Sequence, residues 1–366
     1  MFLRNCWYVG AWSDEVSGET LLSRKLLGEQ VVFYRRKSGG AVALRDRCAH
    51  RFAPLSLGRL EGDCLRCMYH GLLFAADGKC VEEPGRKHPA HGTDVRSYPV
   101  IERWKQVWIW MGDPALADPA AIPDCHWQAD PGWRSIPATM EYRCDYRLIV
   151  DNLLDFSHLT FVHAKTLGGS ATIAATKPRT EELANGVRLS RWYLGEPEIA
   201  PYLKGFETFQ GPVDRWHVYE LTTAGNVFNM DSGSAPAGTG APEGHRVAEA
   251  MQFHATQIVT PEDERNSHFF WTYAHNFNIA DAGFTRKLAA RIAEGFEEDR
   301  IIIEAQQKVV DESGDARMAY IHFDHALTLG RRRIEQQIAA EQASASSLRT
   351  EGHPPAPSTV AATPAR

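Results

Sequence analysis

Over the first third of the chain, apolar residues come in short bursts. Gln30-Val31-Val32-Phe33-Tyr34, Ala41-Val42-Ala43-Leu44 and Gln106-Val107-Trp108-Ile109-Trp110 are broken by Lys37-Ser38-Gly39-Gly40 and Ala76-Asp77-Gly78. Runs of about five β-branched and aromatic residues between Gly and Asp predict a small antiparallel β domain. Asp113-Pro114 to Ile122-Pro123 is rich in Pro and Ala and reads as the passage into a second domain. The expected division is 1–114, 115–342 and a tail at 343–366.

Beyond the passage the pattern mixes periods. Thr139–Tyr146, Val187–Tyr193, Trp216–Leu221, Met251–Val259 and Ser267–Phe277 read as strands, and Arg147–His163 begins as a helix. Residues 164–182, rich in Gly, Ala and Thr, and the Ser/Gly/Ala/Pro stretch Ser232–Gly244 are expected to be loops, the second a mobile one. Phe284–Glu312 is an amphipathic helix with Leu288, Ile292, Phe296, Ile302, Ile303 and Val310 on its apolar stripe. A helix over Ala326–Ala340 precedes an Ala/Ser/Pro-rich tail expected to be disordered. The class is α+β.

Composition narrows the chemistry. A chain of 366 residues, 43% hydrophobic and 23% charged, buries an ordinary core. A net charge of −6 gives no basic field for a phosphate backbone, so nucleic acid is not an expected partner. Seven cysteines, an odd number, argue for reduced thiols and metal ligation over a secreted disulfide framework. The N-terminus lacks the features of a signal peptide and no apolar run reaches the length of a membrane span, so the expected place is the cytoplasm.

The thiols fall into a pattern. Cys48-Ala49-His50 is followed, sixteen residues on, by Cys67-Met68-Tyr69-His70. Two thiolates and two imidazoles at this spacing fit a Rieske-type [2Fe–2S] centre, with two Cys on one iron and two His on the other. Gly71 directly after the second pair lets backbone approach a cluster. Cys64-x2-Cys67-x2-His70 is an alternative zinc spacing, but no second Cys-x2-Cys knuckle exists to pair with it.

A second candidate centre lies in Val150-Asp151-Asn152-Leu153-Leu154-Asp155-Phe156-Ser157-His158-Leu159-Thr160-Phe161-Val162-His163. Asn152, Asp155 and His158 recur every third residue and share a helix face. His163, five beyond His158, joins it on one metal only where the helix ends or bulges between them. A one-electron carrier needs an acceptor, and two His plus a carboxylate is the ligand set of non-haem Fe(II) oxygenases. Glu294, Glu297, Glu298, Asp299 and Glu304 compete for the carboxylate role. Asp299 shares the apolar stripe of Phe296, Ile302 and Ile303 and is the choice, whereas Glu294, Glu297 and Glu298 suit a solvated face.

With Asn5-x-Trp7-Tyr8-Val9, Cys48-x-His50-Arg51, Cys67-x2-His70-Gly71, Asp151-Asn152-Leu153-x-Asp155-x2-His158-x4-His163 and Glu298-Asp299 together, the chain resembles the oxygenase component of Rieske non-haem iron oxygenases. It is similar to the vanillate O-demethylase, dicamba O-demethylase and toluenesulfonate methyl-monooxygenase branch, with Leu72 where ring-dihydroxylating relatives commonly carry Trp. The resemblance implies a Rieske domain joined to a helix-grip-like catalytic domain, assembled as a head-to-tail homotrimer. It implies iron on His158, His163 and Asp299, with Asn152 close by and Asp155 bridging a cluster histidine to an iron histidine across subunits.

It further implies Asn229, Gln257, His254 and Ala290 at substrate positions, with Gln257 and Ala290 replacing the His and Trp of the dicamba enzyme. His254 and His275 stand where relatives often have Arg. The implied activity is O2-dependent O-demethylation or methyl hydroxylation of an aromatic acid, with NADH electrons arriving through a partner flavin and iron–sulfur reductase. Ring hydroxylation and a pure electron carrier are the competing outcomes.

Overall fold

The computed structural model describes residues 1–351 apart from Gly169, His245, Arg246 and Asp315. The first part of the chain folds into three small antiparallel sheets. One joins Trp7–Trp12, Gln106–Trp110 and Val100–Arg103; a second joins Leu22–Leu26, Glu29–Arg35, Ala41–Arg45 and Ser97–Tyr98. The third, Arg59–Glu61, Cys64–Arg66, Leu73–Phe74 and Cys80–Glu82, carries the second ligand loop in a hairpin.

The second part is one seven-stranded antiparallel sheet. Its order is Ala138–Tyr142, Ser267–His275, Met251–Pro261, Val227–Pro236, Val213–Thr222, Gly186–Glu196 and Arg179–Leu183. Four helices accompany it: α1 (Tyr146–Leu153), α2 (Ala171–Ala175), α3 (Ala282–Glu312) and α4 (His325–Glu351). Leu288, Ile292, Phe296 and Ile303 of α3 enter one core with Phe269, Trp271 and Tyr273 of the sheet.

Several sequence expectations change. The strand expected over Thr139–Tyr146 stops at Tyr142, because Asp145 caps α1 by accepting from Arg147 N–H at 2.9 Å. The stretch 164–182 contains α2 and most of the edge strand Arg179–Leu183. Ser232–Pro236 is no mobile loop but the end of the central strand, paired throughout with Val213–His217 and, over Ser232–Ser234, also with Met251–Phe253. Small residues belong there for packing: a Cβ on Gly233 would sit 2.4 Å from the Trp216 ring. On α3, Ile302 is exposed and Val310 half-buried, since the apolar stripe drifts around a long helix. α4 extends through Glu351, so 343–351 is helical; the remainder of the expected tail, 352–366, lies outside the described residues.

The two parts are packed together. Trp7, Trp12, Trp108 and Trp110 share a core with Val227, Ile258 and Phe270. Trp12 Nε1–H donates to Thr139 Oγ1 at 2.9 Å and Thr260 Oγ1–H to Val9 O at 2.9 Å. Glu341 on α4 accepts from the backbone N–H groups of Arg4 and Asn5. The passage after Asp113 crosses the back of the large sheet in three 3₁₀ turns, Pro114–Leu116, Pro119–Ala121 and His126–Gln128. That leaves the opposite face of the sheet to α3 and the second candidate centre.

Candidate active site

The two Rieske-like loops repeat one backbone design. Cys48 N–H donates to Ala53 O at 2.9 Å and Phe52 N–H to Cys48 O at 3.0 Å; Cys67 N–H donates to Leu72 O at 2.8 Å and Gly71 N–H to Cys67 O at 3.0 Å. The fourth residue after each Cys is left-handed, Phe52 at φ 58° and Gly71 at φ 77°. A Cβ on Gly71 would also meet Pro84 at 2.9 Å. Each loop buries its Cys and exposes its His. The imidazole rings of His50 and His70 lie 4.5 Å apart between centroids.

Burial pushes the Cys48 thiol up to about 11, and Cys67 shares a hydrogen bond with it. A thiol at that value is protonated at neutral pH, and metal binding would displace the proton. The sulfur pair inside and the nitrogen pair outside suit the two irons of a Rieske centre. Among the described residues the ligand atoms of Cys64, Cys67 and His70 do not all come within 4.8 Å of one another.

The second centre is assembled from two distant segments. α1 ends at Leu153, and a 3₁₀ turn over Phe156–Thr160 follows, capped by Asp155, whose carboxylate accepts from Ser157 N–H at 2.7 Å. The break turns His158 and His163 toward each other, with ring centroids 5.2 Å apart. Asp299 on α3 meets both: its Oδ1 lies 3.0 Å from His163 Nε2 and 3.4 Å from His158 Nε2. One ligand atom from each of the three falls within 4.8 Å of the others.

The surroundings fix the orientation of each donor. His163 Nδ1–H donates to Glu298 at 2.7 Å, and His158 Nδ1–H donates to the Asp155 carbonyl, so both rings present Nε2 to the centre. Asn152 Nδ2–H donates to Asp299 Oδ1 at 3.0 Å. Burial pushes the Asp299 carboxyl up, but hydrogen bonds and charge from His158 and His163 outweigh it and hold the group well below the usual carboxylate range. A buried anion with two inward nitrogens is a donor set that fits a divalent iron.

An apolar cavity opens beside the three. Leu153, Phe156, Tyr219, Met230, Gln257 and Phe296 are among its walls, around a cavity volume of about 60 Å³.

Of the substrate positions expected from the sequence, Gln257 lines this cavity, bonded to Tyr219. Asn229 and His254 do not. Side chains alternate across a strand, so Met230 facing the cavity turns Asn229 to the opposite face. There Asn229 donates to Asp124 O at 3.0 Å, and His254 stacks on Trp127 with ring centroids 4.6 Å apart. Ala290 is exposed on α3. His275 is spent on the fold, bonding Phe277 O and Thr285 Oγ1.

Glu298 is not a solvated residue but the partner of His163 and Thr166. The Asp155 carboxylate, expected from the resemblance to bridge the two centres, accepts from Ser157 N–H, and it is the Asp155 carbonyl that bonds His158. His217 lines the cavity wall and was not among the residues expected there from the sequence; alternation along the strand Val213–Thr222 puts it on one face with Arg215 and Tyr219.

Known proteins resemble this chain over both of its parts. The family profile described as "Rieske [2Fe-2S] domain" matches residues 6–99, and "Vanillate O-demethylase oxygenase C-terminal domain" matches 142–340. The chain is 47% identical to the toluene-4-sulfonate monooxygenase system iron-sulfur subunit of Comamonas testosteroni, covering 93% of this chain and 98% of that one. It is 35% identical to the dicamba O-demethylase oxygenase component of Stenotrophomonas maltophilia over 93% of this chain and 99% of that one. The crystal structure of dicamba monooxygenase bound to 3,6-dichlorosalicylic acid superposes with a TM-score of 0.86 at 32% identity, covering 93% of this chain and 99% of that one.

Proposed function

The chain belongs to the Rieske oxygenases of the vanillate O-demethylase type, and on that premise we propose that it is a terminal oxygenase, using O2 and NADH to demethylate or hydroxylate a methyl-bearing aromatic acid. The observation that carries this reading is the His158/His163/Asp299 triad opening onto an apolar cavity, in a chain that also holds paired Cys/His loops. Cys48, His50, Cys67 and His70 would hold the [2Fe–2S] cluster, and His158, His163 and Asp299 the mononuclear iron. Bound there, iron supplies a site for O2 activation, with coordination positions left open by a ligand set that occupies one face.

The protein's own groups prepare that site. Glu298 and the Asp155 carbonyl fix the imidazole tautomers, and Asn152 steadies Asp299. The apolar walls keep water from the reacting carbon, and Gln257 and Tyr219 add a polar edge. Oxidation of a methoxy carbon would yield a hemiacetal that collapses to a phenol and formaldehyde; oxidation of a ring methyl would yield a benzylic alcohol.

Electrons would arrive from a partner flavin and iron–sulfur reductase, since the sequence has no Gly-rich dinucleotide fingerprint of its own. The assembly we infer is a head-to-tail trimer in which the Rieske tip of one protomer faces the triad of the next. Exposed apolar side chains ring that tip: Phe52 at 64%, Leu57 at 74%, Met68 at 53% and Tyr69 at 59%. A rim of this kind marks an interface. Asp155, partly exposed next to His158, would relay between the centres. Among the described residues no helix is long and apolar enough to cross a membrane.

The test is a panel of aromatic acids turned over by the purified oxygenase with a reductase and NADH. Formaldehyde identifies demethylation and a benzylic alcohol methyl hydroxylation. Ring-hydroxylated products, or no oxygenated product from any acid, would overturn the reading. Iron content separates a pure carrier, with two irons per chain, from an oxygenase with three.

A further inference from the structure

Two arginines are fully buried on the cavity face of the large sheet, and their situations differ. Arg191 is 1% exposed and used by the fold: it donates to Ile173 O at 3.0 Å and Ser157 Oγ at 2.9 Å, with Asp155 4.0 Å away. Arg215, on the neighbouring strand, is 2% exposed and has no such partners. Its Nη2 is buried without a hydrogen bond, and no carboxylate among the described residues lies within 4.0 Å of its guanidinium. The ring of Tyr193 lies beside it, with Cζ 6.0 Å from the ring centroid. A buried charge without a partner is costly, and proteins keep one where something else supplies the counter-charge.

Arg215 also stands in a particular place. It lines an outer cleft with Glu196, Ile199 and Lys204, while His217, two residues on and on the same sheet face, lines the inner cavity beside the triad. The cleft and the cavity share a thin wall: Ala164, Gly168 and Pro201 face the cleft, and their chain neighbours His163, Leu167 and Tyr202 face the cavity. Lys204 is already engaged with Glu198 at 2.5 Å. His217 Nδ1 is likewise buried without a partner. Burial, with Arg215 and Arg191 beside it, pushes His217 down to about 3, so its ring is neutral and its Nδ1 can donate as a neutral group.

We infer that Arg215, with His217 beside it, is the anion-recognising end of the substrate site, binding the sulfonate or carboxylate of a para-substituted arene whose methyl or methoxy carbon points at the triad. The inference rests on the aromatic-acid reading above and adds a residue and a substitution pattern to it. Arg215 lies four residues from Tyr219, about 13 Å along the strand. The charge of Asp299 reaches Tyr219, and that of Arg215 reaches Tyr202 and Tyr273 of the cavity wall. A para-disubstituted ring and an extended arginine side chain together span that length, whereas an ortho arrangement would bring the anion back to the iron end.

The experiment measures binding and melting on the full chain with both metal centres loaded and O2 absent. The probes are toluene-4-sulfonate, toluene-4-carboxylate and the neutral toluene-4-sulfonamide. The unaltered protein should bind the two anions more tightly than the amide, and R215Q should lose about 100-fold for the anions and little for the amide. R215K should recover part of the anion affinity. R215M should melt at the same or higher temperature than the unaltered protein without ligand, because an unpaired buried charge has been removed, and should not be stabilised by the anions. An R215Q protein that keeps its anion preference, or an R215M protein that melts well below the parent without ligand, would overturn the assignment. If the unaltered protein binds the amide as well as the anions, the anion site is wrong while aromatic turnover stands. If it binds none of the three and turns over no aromatic acid, the functional reading falls and takes this one with it.

Discussion

At the scale of single residues, the second centre depends on side chains that are not themselves donors to the metal. Glu298 accepts from His163 Nδ1–H and from Thr166, and this fixes the tautomer that presents Nε2. Glu298→Gln should keep the cluster colour yet hold Fe(II) about tenfold more weakly in competition with a chelator; equal affinity would show that the charge on Glu298 is idle. His158→Ala should lower iron content from three to two per chain and leave the cluster absorbance intact. Asp155→Asn keeps a side chain able to cap the 3₁₀ turn, so both centres should load while turnover falls by about tenfold or more. Normal turnover in that variant would remove Asp155 from the relay.

Asp299 was legible in the sequence because its helical spacing to Phe296, Ile302 and Ile303 turns it inward, even though Ile302 itself proved exposed. Glu298 was not legible. Its half-buried position depends on the turn that brings His163 and Thr166 beside α3, which no local period encodes.

At the scale of elements, the central strand shows how composition misleads. Ser232-Gly233-Ser234-Ala235-Pro236 has the makeup of a loop but pairs with Val213–Arg215 and beyond on one side, and with Met251–Phe253 on the other. Small side chains are required because Trp216 crosses over Gly233. Gly233→Ala should destabilise the fold by about 1–3 kcal/mol, read as a lowered denaturation midpoint. The long helix has a more local determinant: Asp281 accepts from Gly283 N–H at 2.8 Å and Phe284 N–H at 3.0 Å. Asp281→Ala should cost about 1 kcal/mol by the same measurement. The same strand logic moved Asn229 and His254 out of the cavity, since a position shifted by one residue faces the other side of a sheet.

At the scale of the whole molecule, the N- and C-terminal segments are tied: the backbone of Arg4 and Asn5 donates to Glu341 on α4. Tryptophans of the Rieske domain are buried against the large sheet. The apolar rim around His50 and His70 is left uncovered. Tyr69→Asp should leave the cluster reducible by the reductase but dissociate the proposed trimer in sedimentation and lower product formation relative to cluster reduction. A monomeric unaltered protein with full turnover would refute the inter-subunit route.

The sequence by itself singled out the candidate Cys/His loops and the candidate histidine pair, because metal chemistry demands particular residue types at close spacings, and two short loops and one broken helix supply them locally. It determined that His158 and His163 need a break between them, because an intact helix cannot bring residues five apart to one ion. Tertiary structure alone decided that Glu298 reaches His163 beside Asp299, because α3 begins more than a hundred residues after the histidines, with most of the large sheet between. It also decided the face on which each strand residue lies, and so turned Asn229 and His254 away from the cavity and set His217 in its wall. Pairing register is a property of two strands at once, and a single sequence read along its length holds only one of them.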